Sequence, residues 1–256
     1  MTSARCAAWA IATIADAVDS CAASDEVAFV LHRRPYGETS LLVDLFACNG
    51  GRLRLVARGA RRNRVGQPFT ELAVAWSGRS QLKTLTRAEP MPASCPALAG
   101  RVLYLGLYLN ELLLRLLPEG DPHPRLYERY RTLLTVLAAG AEAEPALRRF
   151  ELALLEDLGY GIALAHTLEG DPVRPEADYR FVGGAGLTLA GVPAGRGEPL
   201  RGAHLLAIAA DDYRDPAVRH SAKRLLRAAL AEHLGTRPLR SRELFRDPGT
   251  EPETSA

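Results

Sequence analysis

Six arginines, Arg52, Arg54, Arg58, Arg61, Arg62 and Arg64, fall inside the stretch GRLRLVARGARRNRVGQPF at residues 51–69. Each guanidinium carries a fixed positive charge and a planar fork of N–H donors, so such a cluster is equipped to hold phosphate or carboxylate oxygens. The charge is local. Residues 25–90 hold eleven Arg and Lys against six Asp and Glu, a surplus of five, whereas residues 91–256 hold 20 basic and 22 acidic residues. A polyanion is therefore expected to meet the first third of the chain rather than its whole surface. Only Lys83 and Lys223 are lysines.

Catalytic patterns are missing from the sequence. The six histidines, His32, His123, His166, His204, His220 and His233, have no HExxH spacing, and no GxSxG elbow occurs. Neither lysine follows the glycine of a Walker loop, and GGAG at residues 183–186 lacks the strand-to-helix context of a dinucleotide site. Glu156 and Asp157 are sequence neighbours, which point apart on a helix. Cys6, Cys21, Cys48 and Cys95 form no CxxC pair and have no histidine cluster beside them, so reduced thiols are expected, with no metal and no cofactor. The class is a binding protein, not an enzyme. The opening run MTSARCAAWAIATIADAVDSCAAS is too short in apolar residues to span a bilayer and is broken by Asp16 and Asp19. It reads as a helical or disordered extension rather than a secretory signal, with the cytoplasm as the expected location and no membrane contact.

The elements that position the arginines follow from periodicity. VAFVLHRR, TSLLVDLF, GRLRLVARG, FTELAVAW and SQLKTLTRA are five candidate strands, divided by PYGE, NGG, ARRNRVGQ and SGR. Five strands in about sixty residues fit a small antiparallel barrel of the OB type, with an SH3-like barrel as rival. Alternation along β-structure turns Leu53, Leu55 and Ala57 inward and Arg52, Arg54 and Arg58 outward. Arg33, Arg34 and Lys83 add to this basic face. Tyr36, Phe69 and Trp76 are candidate stacking aromatics, with a core role equally open for Phe69 and Trp76. The arrangement suits a sugar-phosphate backbone, against the plainer reading of a solvated basic loop.

Beyond Pro90, Pro92 and Pro96 the period becomes helical. Val102, Leu105, Leu109, Leu112, Leu113 and Leu116 make one stripe; Leu126, Tyr130, Leu133, Leu134 and Leu137 a second; Leu147, Phe150, Leu154 and Leu158 a third, with Gly159 as a left-handed cap. Asp215-Pro216 opens a last helix to about Leu234, on which Arg219, Lys223 and Arg227 line one face. Short strands are expected around YRF and GLTLA. Asn110 is expected to bond a neighbouring segment inside the bundle, and RSRELFR at residues 240–246 to close the chain as a clamp packed by Leu244 and Phe245, with a DNA contact as the alternative.

The strings AFVLHRRPYGETSLLVDLF, GRLRLVARGAR, QPFT, KTLTRAE, LYLGLYLNELLLRLL, EPALRRFELALLEDLGYG and GTRPLRSRELFR are long and collinear. In these the chain resembles the RecO family of bacterial recombination mediators, from about Phe29 to Arg246. The resemblance implies an N-terminal OB fold, a helical middle domain and a small C-terminal region, which agrees with the α+β division drawn from periodicity: an OB-fold barrel at residues 25–90, a helical bundle domain at 91–165, and a C-terminal region at 166–246 packed on it, before a disordered tail at 247–256. The extension at 1–24 is a departure from the family and is given no role. It implies binding of single- and double-stranded DNA, annealing of complementary strands, and capture of the acidic C-terminal tail of single-stranded DNA-binding protein (SSB). It further implies action with RecR to load RecA. Many relatives carry a four-cysteine zinc module after LGYG, where this chain offers only His166, so it resembles the zinc-free branch. For the SSB tail, Arg148, Arg149, Arg219, Lys223 and Arg227 are the candidates, each with a solvated helix face as the competing reading. An OB-fold RNA-binding or ribosome-associated factor is the alternative function.

Overall fold

A computed structural model describes residues 26–60, 65–78, 82–91, 98–140, 142–191 and 198–245. Five strands, β1 (Glu26–Tyr36), β2 (Ser40–Ala47), β3 (Gly51–Ala57), β4 (Glu71–Ser77) and β5 (Lys83–Pro90), close into a barrel in the order β1-β2-β3-β5-β4. All neighbours are antiparallel except β3 and β5, whose parallel pairing at Leu55↔Lys83 completes an OB-fold closure. Alternate residues, among them Val30, Val43, Leu45, Leu53, Leu55, Leu72 and Val74, fill the interior. Register shifts at Val30/His32 and Ala75/Trp76 supply the local bends that let so short a sheet curl onto itself.

Helices α1 (Gly100–Leu116), α2 (Pro124–Ala138) and α3 (Ala143–Asp157) pack beside the barrel. A three-stranded sheet ordered β7-β6-β8, from β6 (Asp178–Val182), β7 (Gly186–Leu189) and β8 (Leu200–Arg201), follows with α4 (Gly202–Ala209) and α5 (Pro216–Leu234). The YRF and GLTLA segments become β6 and β7; β8, two residues long, has no periodicity to read. Asp215 caps α5 by accepting from the Ala217 amide at 2.7 Å. Gly159 adopts φ +82° just after α3.

The barrel does not hold a core of its own on every face. Phe29, Leu31, Phe46 and Cys48 turn outward from β1 and β2 and join Leu109, Leu112, Tyr127, Tyr130 and Phe150 in a core shared with the helices. The Phe29 ring lies 5.2 Å from that of Tyr127 and 5.1 Å, edge-on, from that of Tyr130. Polar groups inside this seam are paired. Asn110 Nδ2 donates to the Leu31 carbonyl at 2.8 Å and its Oδ1 accepts from the Tyr130 hydroxyl, the internal role expected of it. The buried Glu71 carboxylate accepts from Tyr127 at 2.8 Å and from Arg131 Nε at 2.9 Å. Burial and this adjacent carboxylate push the Tyr127 hydroxyl far above its ordinary pKa.

Docking also alters the helix stripe read from sequence. Val102, Leu105 and Leu116 are only partly buried, whereas Gly106 and Tyr108 are covered. The reason is that α1 is enclosed on two sides, and a Cβ on Gly106 would stand 2.6 Å from Leu98 and 2.9 Å from the Phe69 ring. Phe69 and the half-buried Trp76 accordingly serve the interior.

The chain closes on α1 through Glu111 and Arg115. Glu111 accepts from the amides of Arg240 (2.9 Å) and Ser241 (2.8 Å) and from the Ser241 hydroxyl (2.6 Å). Arg115 donates to the carbonyls of Leu234, Arg237 and Pro238 at the end of α5. The clamp is real but its anchors differ from those expected: Leu239 is buried while Leu244, in the 3-10 turn Arg240–Phe245, is exposed. Cys48 is buried and forms no disulfide among the described residues; Cys6, Cys21 and Cys95 lie outside the described residues, as do the extension at 1–24 and the tail at 247–256.

Gly51 sits at the tightest point of the seam. Its φ is +66° and a Cβ there would lie 1.9 Å from the Asp121 carbonyl oxygen. Gly51→Ala is expected to lower stability by at least about 2 kcal/mol, from backbone strain and overpacking together. Denaturant unfolding followed by tryptophan fluorescence and far-ultraviolet circular dichroism checks it, and both signals should shift together because barrel and helices share one core.

Candidate nucleic-acid interface

The arginines of β3 meet three different fates. Arg52 leaves the barrel surface and enters the seam, where its Nε donates to the Leu117 carbonyl at 2.8 Å, its Nη groups lie 4.0 Å from Asp44 and 3.9 Å from Glu119, and its own carbonyl accepts from the Gly120 amide. The alternation correctly turns Arg52 outward, but what lies outside at that point is the connection after α1, so this side chain is occupied internally. Arg54, two residues on, stands clear of the seam and donates through Nε to Asp44 at 2.7 Å. Arg58, just past the strand, is exposed and makes no ion pair among the described residues.

Strand register places the other basic residues relative to this gradient. Tyr36 pairs with Ser40, Leu41 with Ala57, and Leu55 with Lys83, so the β1–β2 turn, the end of β3 and the start of β5 share one end of the barrel. The opposite end, at Gly51 and Glu71, is the one docked on the helices. The free end therefore carries Arg34, Arg58, the half-buried Lys83 and the exposed ring of Tyr36. Arg33 is there too, but it is spent on holding the strand to the following loop: Nη1 donates to the Val65 carbonyl at 3.1 Å and Nη2 to Gln67 Oε1 at 2.8 Å. Arg61, Arg62 and Arg64 lie outside the described residues. Cations beside an exposed aromatic ring provide what a polynucleotide needs, charge for phosphate and a flat surface for a base.

Asp44 is a participant that sequence reading passed over. Burial alone would raise its carboxyl pKa, yet the interactions with His32 and Arg54, a hydrogen bond from Arg54 among them, carry it below the usual range. The signal was a single acid inside the apolar strand SLLVDLF, in register with Arg54 across β2–β3 and with His32 across β1–β2.

The five basic residues of the helical region do not form one surface. Arg148 is buried, 2.7 Å from Glu151, whose other oxygen accepts from Tyr108 at 2.6 Å; a guanidinium sunk in this way cannot share an open face with its neighbour Arg149. Complete burial raises the Glu151 pKa although Arg148 and Tyr108 oppose it. Arg149 donates to Asp211 at 2.7 Å and lies over the Tyr213 ring, and Arg219 donates to the carbonyls of Tyr213 and Arg214. Both line an open cleft of about 710 Å³ that also exposes Glu142, Glu144, Asp211 and Asp212, a poor setting for an acidic ligand. Lys223 and Arg227 remain exposed, one turn apart on α5. The charges of Lys223 and Arg242 both reach the buried Glu151, so the two lie near the Arg148–Glu151–Tyr108 cluster. Arg242, read from sequence only as part of the RSRELFR clamp with a DNA contact as the alternative, is a further cation near this cluster.

Among the described residues no group of His, Cys, Asp and Glu is arranged to hold a metal ion, and no helix is long and apolar enough to cross a membrane.

Comparison with known proteins agrees with the two-part architecture. The family model described as recombination protein O N terminal matches residues 24–93, and that described as recombination protein O C terminal matches residues 99–243. The DNA repair protein RecO of Pseudomonas paraeruginosa (strain DSM 24068 / PA7) is 48% identical over 228 residues, covering 87% of this chain and 95% of the relative. Those of Actinobacillus succinogenes and Haemophilus influenzae (strain 86-028NP) are 48% identical over 223 residues, covering 85% of this chain and 93% of each relative. An OB barrel with a basic free end, joined to a helical region in one shared core, is thus carried by a chain that belongs to the RecO family of DNA repair proteins, with a role in recombination and repair.

Proposed function

We propose that the protein is a recombination mediator that binds single- and double-stranded DNA at the free end of its barrel, anneals complementary strands, binds the SSB C-terminal tail, and acts with RecR in loading RecA on SSB-coated DNA in the cytoplasm. One observation carries the reading: Arg34 and Arg58 sit together at the undocked end, without ion pairs among the described residues, beside the exposed Tyr36. Arg61, Arg62 and Arg64 follow directly in sequence and add positive charge to this proposed interface, with Lys83 at the same end of the barrel and Arg33 bonded to Val65 and Gln67. Arg54 shares in the grip, while Arg52 contributes by keeping β3 on the helices. Cations that contact phosphates on two strands screen their mutual repulsion, and annealing follows from that screening. The function needs no catalytic group and no cofactor.

For the SSB tail, the face of α5 with Lys223 and Arg227, underlain by Arg148 and flanked by Arg242, is the best supported of the basic surfaces. Arg148, Lys223 and Arg242 all act on one buried carboxylate, that of Glu151. Arg149 and Arg219, at the acidic cleft, rank behind it.

Two measurements test these assignments. Replacing Arg61, Arg62 and Arg64 by alanine is expected to weaken binding to a single-stranded oligonucleotide and to make the log-log salt slope shallower by about 2, at roughly 0.7 per lost phosphate contact; an unchanged affinity and slope would remove the loop from the interface. Titration of a fluorescent SSB tail peptide against Lys223→Glu is expected to show roughly tenfold weaker binding than the unaltered chain, the loss of one charge-assisted contact. Equal loss in Arg149→Glu but none in Lys223→Glu would move the receptor to the cleft.

A further inference from the structure

Asp44 is the single acid in β2, and it stands on the outer face of the barrel with its carboxylate almost completely buried. Two arginines and a histidine close on it: Arg54 Nε at 2.7 Å, His32 Nδ1 at 3.8 Å and Arg52 Nη1 at 4.0 Å. The partners differ in access. The side chains of Arg54 and His32 are 39% and 53% exposed, whereas that of Asp44 is 4% exposed. Arg52 is also held by the Leu117 carbonyl and Glu119 and stays in the seam.

We propose that Asp44 is an internal competitor for backbone phosphate, a fixed negative charge that holds Arg54 in the free protein and limits how tightly the barrel face grips DNA. This rests on the reading that the barrel binds DNA. Asp44 engages Nε of Arg54, and among the described residues no hydrogen bond occupies the Nη groups, which face a phosphate as additional donors. The guanidinium is therefore shared and not surrendered. Because the carboxylate is buried in the strand face, it cannot swing into solvent when a phosphate arrives, so the two anions stay on either side of one cation. The cost of that repulsion lowers affinity below what the cation count implies, and a protein that must hand its DNA to another needs such a limit.

The test uses the full chain and a labelled oligothymidylate, with fluorescence anisotropy recorded across a salt series. Asp44→Asn, nearly isosteric with Asp, is expected to bind about fivefold more tightly and to steepen the log-log slope by up to about 0.7, as the Arg54–phosphate contact is freed from its competing anion. Adding Arg54→Gln to Asp44→Asn is expected to return affinity to that of the unaltered chain. Unchanged or weaker binding by Asp44→Asn, with an unaltered melting curve, overturns the proposal. Single variants give a second reading that does not depend on the folding of Asp44→Asn. Arg54→Gln is expected to cost less than half the fold-loss of Arg58→Gln, since Arg54 is already partly neutralised; an equal or larger loss also overturns it. If Arg34→Gln and Arg58→Gln leave binding untouched, the barrel reading itself fails; if they weaken it while Asp44→Asn matches the unaltered chain, only the competitor role fails.

Discussion

The docking of the barrel's outer face on α1 and α2 is the constraint from which the rest follows. Phe29, Leu31 and Phe46 cannot face water as a contiguous patch, and Tyr127 and Tyr130 need both apolar cover and partners for their hydroxyls. The seam answers both demands at once. Its buried polar groups, Asn110 on the Leu31 carbonyl and Glu71 between Tyr127 and Arg131, hold only one relative position of barrel and helices. Removing one partner would strand a buried charge or amide, so specificity is paired with a stability cost for any error.

That fixed position decides what each arginine can do. With one end of the barrel covered, the charge along β3 is graded: Arg52 serves the seam, Arg54 is divided between Asp44 and solvent, and Arg58 is unencumbered. The same logic separates the cations of the helical region. Arg148 is consumed by the buried Glu151, Arg149 and Arg219 by the acidic cleft, and Lys223 and Arg227 stay available. A count of arginines in a sequence is thus an upper limit on the cations that a partner can meet.

Local periodicity carried most of the fold. The five barrel strands, the helices α1 to α3, the Asp215 cap and the Gly159 stop all depend on near-neighbour spacing and match their elements, while the buried face of α1 is shifted by its docking. What alternation cannot tell is the identity of the neighbour. It turned Arg52 outward without knowing that the Leu117 carbonyl waits there, and it placed Arg148 beside Arg149 without knowing that Glu151, one turn away, would draw it inward. The terminal clamp shows the same gap. Leu244 of RSRELFR is exposed, whereas Leu239, outside that string, is buried, because Glu111 fixes the chain by its backbone amides at Arg240 and Ser241. Asp44 escaped attention because one acid in an apolar strand has no spacing pattern; only pairing across β1, β2 and β3 brings it to His32 and Arg54.

The central claim is that docking leaves the basic end of the barrel as the DNA-facing surface. Amide hydrogen exchange of the full chain, with and without a saturating single-stranded oligonucleotide, tests it most directly. The account predicts slowed exchange at residues 34–40, 57–60 and 82–84, with residues 117–121 at the seam unchanged. Protection concentrated at the seam, with the turn after β1 and the start of β5 exchanging as in the free protein, would contradict it.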